Sequence, residues 1–324
     1  MDEQITSGKR RLRRGIGALA VTLAAGGGAL ALAPAAAHAA AHPAATSYTF
    51  TTLNDQADPT FNQLLGINSK NVIAGYFGSG ATGHPNKGYL LKPPYGQANY
   101  VNENFPGAQQ TQVIALNNLG DTAGFWANAA GANHGFVEWN GSYTSYTDPN
   151  TPKIAGAVNQ LLGINNNGVA VGFYNDKHGD SHPYKVNQAT GTFTALHVNG
   201  QSAQATGINN NGDIVGFATT AAGDTSGWLL NGTQLTAFQY PGGSDTQAFG
   251  INSSNQIVGT YLDAQGVQHG FVLTDPTGPK THWATVDDPN GVGSTFINGI
   301  NTAGDLVGFY TDAAGNTDGF LAKP

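Results

Sequence analysis

The chain has 324 residues, enough for a large core, and no cysteine, so no disulfide framework supports it. Forty-six glycines and a low content of charge point to an all-β protein with many tight turns. Thirteen basic residues against 20 acidic ones exclude the basic face that nucleic-acid binding needs.

Residues 1–39 read as an export signal, by the Sec or the twin-arginine route. Lys9, Arg10, Arg11, Arg13 and Arg14 form a positive head, and an Ala/Leu/Gly run follows from Gly15 to Ala33. Ala37-His38-Ala39 then offers a cleavage site. Kept uncleaved, the same run would be an anchor. No later stretch is apolar enough to span a bilayer, so the expected location is secreted or cell-surface (extracellular). Cleavage leaves eight lysines, no arginine and 18 carboxylates. A chain without arginine has no bidentate fork for an anionic ligand.

After the signal comes Tyr48-Thr49-Phe50-Thr51-Thr52-Leu53, a strand pattern ending before Asp58-Pro59. From there the chain repeats. Gly-Ile-Asn recurs with its Asn at 68, 165, 209, 252 and 301, and a degenerate copy, Ala115-Leu116-Asn117, supplies the sixth. Successive Asn residues lie 49, 48, 44, 43 and 49 apart, and each is followed seven residues later by a glycine, Gly75, Gly124, Gly172, Gly216, Gly259 or Gly308.

Each copy reads as four strands. Strand a ends in the anchor, and an Asn-x-x-Gly turn leads to strand b, as in Asn209 to Gly212. Asn71 and Asn255 replace the turn glycine in two copies, the next-best residues for positive φ. A second turn, Asp-x-x-Gly at Asp176, Asp263 and Asp312, leads to strand c with its aromatic: Tyr89, Phe136, Tyr184, Trp228, Phe271 or Phe320. Strand d closes at turns such as Asp148-Pro149 and Asp288-Pro289. The last copy stops after strand c, and Tyr48–Leu53 supplies the missing strand. The expected fold is a six-bladed β-propeller with four antiparallel strands per blade, one domain over 40–324. Its ring is closed by the N-terminal strand completing the last blade.

The composite pattern G-I-N-x-x-G-x-I-V-G-x-Y, D-x-x-G, H-G-F resembles the HAF-type extracellular repeat family of bacteria. His134-Gly135-Phe136 and His269-Gly270-Phe271 carry its last element outright. Lys87-Gly88-Tyr89, His182-Pro183-Tyr184, Ser226-Gly227-Trp228 and Asp318-Gly319-Phe320 depart from it. The resemblance implies export and tandem repetition and points to no particular activity.

Three sets of residues are candidates for function. Loops from strand d to the next strand a carry Asp55, Asp58, Glu103, Asp148, Asp245, Asp287 and Asp288. Such a rim suits Ca²⁺ or sugar hydroxyls, and equally a solvated surface with Asp-Pro turns. Five residues before each anchor Asn stand Gln63, Gln112, Gln160, Gln204, Gln247 and Phe296. They read as an amide collar lining the channel, or as amides bonding the neighbouring blade's backbone. His134, His182 and His269 fan around the ring and read as strand or turn histidines rather than metal ligands. The Asn anchors read as turn chemistry.

No nucleophile motif or zinc spacing appears. The expected function is therefore a monomeric, non-catalytic binding or surface-interaction module for an extracellular glycan or protein. The alternatives are a carbohydrate-active or metal-dependent hydrolase or lyase using the loop carboxylates, and a structural envelope protein.

Overall fold

The computed structural model describes residues 47–324, and the segment 1–39, read from sequence as an export signal, lies outside them. Six four-stranded antiparallel sheets make up these residues, the blades of a β-propeller. Innermost strands are Asn62–Ile67, Gln110–Leu116, Asn159–Ile164, Ser202–Ile208, Ser244–Ile251 and Thr295–Ile300, for blades 1 to 6. Each neighbours the next, and the last neighbours the first, so the ring is closed. The sixth sheet runs Thr295–Ile300, Leu306–Thr311, Thr317–Lys323 and then Thr49–Thr52. Thr49 pairs with Lys323 and Thr52 with Phe320, as the strand pattern predicts.

Close approach of the blades explains the glycine of the anchor. A Cβ on Gly207 would stand 2.8 Å from the Phe249 carbonyl and 3.3 Å from the Gly250 Cα. One residue earlier, every innermost strand carries a β-bulge against strand b, at Leu65, Ile114, Leu162, Thr206, Phe249 and Asn298. The bulge turns the carbonyl of the collar position onto strand b. A Cβ on Gly75, Gly124, Gly172, Gly216, Gly259 or Gly308 would overlap that oxygen, which is why glycine recurs there. The strand-c aromatic pairs with this bare position, as Phe271 does with Gly259 and Phe320 with Gly308.

Asn71 and Asn255 do adopt positive φ, 59° and 58°. The anchor asparagines do more than shape a turn. Asn117 Oδ1 accepts from the N–H groups of Leu119, Gly120 and Asp121, while its Nδ2 donates to the Asn165 carbonyl of the next blade at 3.1 Å. Asn68, Asn165, Asn209 and Asn252 donate across to the next blade in the same way. Asn301 donates to Asn71 Oδ1 and so continues the circle into blade 1.

Candidate functional site

Antiparallel order puts the d-to-a connections and the b-to-c turns on one face, and the Asn circle on the other. The rim carboxylates on the first face are less solvated than an acidic surface would be. Asp58, Glu103, Asp148 and Asp288 are buried, and Asp245 lies inside an innermost strand at φ 49° instead of in a loop.

Most of these carboxylates are engaged locally. Asp58 accepts from Thr60 and pairs with His84 at 2.7 Å. Burial pushes its pKa up, but those partners outweigh it and hold the carboxyl below its ordinary value. Glu103 accepts from Thr122, and burial raises its pKa, as it does for Asp288. Among the described residues, no three His, Asp or Glu side chains group as a metal site would require. Asp148 lies in the loop between blades 2 and 3, and Asp287 and Asp288 in that between blades 5 and 6. They sit three blades apart across the ring.

The collar amides are packed between blades. Gln112 Nε2 donates to Asn86 Oδ1, Gln160 Nε2 to Asn133 Oδ1 and Gln204 Nε2 to Ser181 Oγ, each on the preceding blade. They bond the neighbouring blade, as one of the two sequence readings has it, but through its side chains and not its backbone. Gln63 instead accepts from Tyr76 of its own blade at 2.7 Å. Gln247 is half-buried, and Phe296 stacks on Phe309 at 4.7 Å. Near the Gly-Ile step the channel is walled by the bulge residues, among them Leu65, Phe249 and Asn298.

The three repeated histidines stand at the start of strand c, and most blades tie this position to the end of strand d. In blade 5, His269 Nδ1 donates to Asp287 Oδ2 at 2.7 Å, and the Gly270 N–H donates to Asp287 Oδ1. In blade 6, Asn54 donates to Asp318 and accepts from the Gly319 N–H. In blade 1, Asn104 accepts from the Gly88 N–H. In blade 2, His134 Nδ1 meets Thr147 Oγ1 at 3.0 Å. Blade 4 lays the Phe238 ring over Gly227.

Blade 3 breaks the pattern. Pro183 stands where the glycine N–H would donate, and His197 stands where Asp287 or Asn54 would accept. No hydrogen bond joins His182 to His197 among the described residues. In their place is a cavity of about 380 Å³ lined by Asp148, Asn150, Tyr174, His182, Tyr184 and Phe193, with Leu196 and His197 beside them. A second hollow of about 270 Å³ shares His182, Pro183, Leu196 and His197 and extends toward Gln201.

The cavity's polar groups are fixed from behind. The Asp148 N–H donates to Asn159 Oδ1 at 2.9 Å, and Asp148 Oδ1 accepts from the Asn150 N–H and Nδ2. Its Oδ2 has no protein partner among the described residues. Tyr184 donates to Asn159 Oδ1 from the buried side at 3.2 Å. His182 stacks on Tyr174 with centroids 5.1 Å apart and reaches Asp176 Oδ2 through Nε2 at 3.2 Å, which leaves Nδ1 free. Burial, then the charges of Asp148 and Asp176, raise the Tyr174 pKa, so its phenol stays protonated at neutral pH.

Asp148 and His182 are residues that sequence reasoning singles out. Tyr174, Phe193 and His197 are not. The available signal was local: Pro183 for the repeat glycine and His197 for the repeat acceptor, in one blade.

No protein-family model matches the chain, and no curated protein matches it in sequence. Solved structures share its fold. A putative TolB from Agrobacterium tumefaciens superposes with a TM-score of 0.56 at 11% identity, over 86% of this chain and 98% of that one. A lectin from Aleuria aurantia, solved with Fucalpha1-6GlcNAc, matches with TM-score 0.50 at 9% identity, over 81% and 91%. A protein of unknown function from Dyadobacter fermentans matches with TM-score 0.50 at 12%, over 86% and 98%. These likenesses agree with the six-bladed propeller and carry the fold alone.

Proposed function

We propose that the protein is an exported, non-catalytic binding propeller whose ligand occupies the blade 3 cavity on the loop face. The observation that carries this reading is the coincidence of two departures from the repeat at one place. Pro183 and His197 remove the tie between strands c and d, and the space they leave is walled by Asp148, Tyr174 and His182. Departures from a uniform scaffold are where a site is grafted. The Aleuria aurantia lectin, with the same fold, is a precedent for a propeller that holds a ligand. Export and a cell-surface location rest on the N-terminal segment and on the resemblance to HAF-type repeats.

A hydrolase built on rim carboxylates would need two acids flanking one bond, roughly 5–9.5 Å apart. Asp148 and the Asp287–Asp288 pair belong to opposite loops of the ring, so they do not form such a pair.

Ala195 lines the cavity and is exposed, which makes Ala195→Trp a plug that leaves the core alone. Labelled protein is applied to immobilised extracellular polysaccharides and envelope proteins. The expected result is retention on at least one of them, lost in Ala195→Trp at unchanged Tm, with no product released. Retention that survives the plug, retention on none, or turnover of the bound polymer would overturn the reading.

A further inference from the structure

We propose that the blade 3 cavity is a subsite for one neutral pyranose residue of a glycan. The proposal rests on the binding reading above and names its ligand. Four observations lead to it.

The first is size. At about 380 Å³ the cavity lies at the small end of ligand sites, which run from roughly 300 to 1,000 Å³. The second is the polar set. Asp148 Oδ2 is a fixed acceptor with no protein partner, backed by the Asn150 contacts that hold Oδ1. Around it stand the Tyr174 hydroxyl, His182 Nδ1 and the His197 imidazole, none of which has a protein hydrogen bond among the described residues. Phenol and imidazole can donate or accept, which matches vicinal hydroxyls that do both. A carboxylate oxygen between two such hydroxyls takes both protons in charge-assisted bonds.

The third is an apolar wall. Phe193, half-buried among the lining residues, offers carbon surface suited to the C–H face of a sugar ring. The fourth is charge. Asp148 and Asp176 disfavour an anion, and no arginine occurs anywhere in residues 40–324. An organic cation fits poorly too. His182 already covers one face of Tyr174 and already pairs with Asp176, so neither the ring face nor that carboxylate is open to a cation. A neutral polyol ring is the class that remains.

The test uses saturation-transfer NMR and calorimetry on the purified protein, with methyl pyranosides of glucose, galactose, mannose and N-acetylglucosamine. Choline and inorganic phosphate are the comparators. At least one glycoside is expected to bind, with neither comparator competing. Asp148→Asn keeps the Oδ1 contacts but turns Oδ2 into a donor, and it should weaken binding about 10-fold or more. Tyr174→Phe should weaken it less, and Ala195→Trp should abolish it, while Tm stays within a degree or two in all three variants. Choline binding in place of sugar would overturn the proposal, as would glycoside binding indifferent to Asp148→Asn. If an immobilised polymer is held through the cavity but no glycoside competes, the binding reading stands and the pyranose assignment falls.

Discussion

Single residues in this ring are constrained by neighbours that a list of repeats does not show. The glycine seven residues after each anchor is set by a carbonyl on the adjacent innermost strand, beside the bulge, not by a turn. Gly259→Ala should therefore cost about 1–3 kcal/mol of stability in urea unfolding, as overpacked sites do. A loss under a few tenths would mean that the bulge relaxes. Asn117 holds three turn N–H groups and one carbonyl of the next blade. Asn117→Ala should cost about 2 kcal/mol or more, since several buried groups lose partners together. Asn117 Nδ2 also donates to Asp121 Oδ2 at 2.7 Å. Asn117→Asp would therefore keep the turn acceptor but lose both Nδ2 bonds and set two carboxylates together, and it should cost no less than the alanine variant. The anchor's turn role was legible from Asn-x-x-Gly spacing. Its second role was not, because a bond between residues 48 apart leaves no local signature.

Among elements, the closing strand was the most legible. Tyr48–Leu53 reads as the absent fourth strand because the last repeat ends after strand c, and Thr49–Thr52 does pair with Thr317–Lys323. Removing residues 47–53 would expose that edge and uncover Phe320, against which Phe50 packs at 5.4 Å. A Tm lower by about 5 °C or more is expected, roughly 3 kcal/mol or more for a domain of this size. An unchanged Tm would contradict the closed ring. The tie in blade 5 carries a pH dependence. Burial pulls the His269 pKa down, but hydrogen bonds and charge from Asp287 and Asp263 outweigh it, so the pKa is raised. A raised folded value means that the stabilisation is full below the unfolded pKa of about 6.5 and is lost as pH rises through the folded one. The Tm gap between the protein and His269→Gln should thus be wider at pH 5.5 than at pH 8.5. A gap that widens toward alkaline pH would contradict the Asp–His–Asp arrangement.

At the scale of the molecule, six blades follow one pattern and one altered blade holds the candidate site. Repeat spacing made the ring readable because each blade obeys the same bulge, glycine and aromatic rules. The site was harder to see, since Asp148, Tyr174 and His197 come from three separate strands or loops and meet only because the antiparallel order of blade 3 brings those ends to one face. Rim carboxylates looked like a set in sequence, yet burial and local hydrogen bonds separate them by loop. Asp148 lines a cavity of about 380 Å³ and keeps Oδ2 without a protein partner among the described residues.

The histidines report on this directly, because His134, His182 and His269 hold equivalent places in three blades. A long-range ¹H–¹⁵N spectrum of the imidazoles, recorded while a bound methyl pyranoside is titrated in, reads each blade separately. The account predicts that His182 and His197 shift with a common affinity while His134 and His269 stay fixed. Shifts at His134 or His269, or none at His182, would place the ligand elsewhere and contradict it.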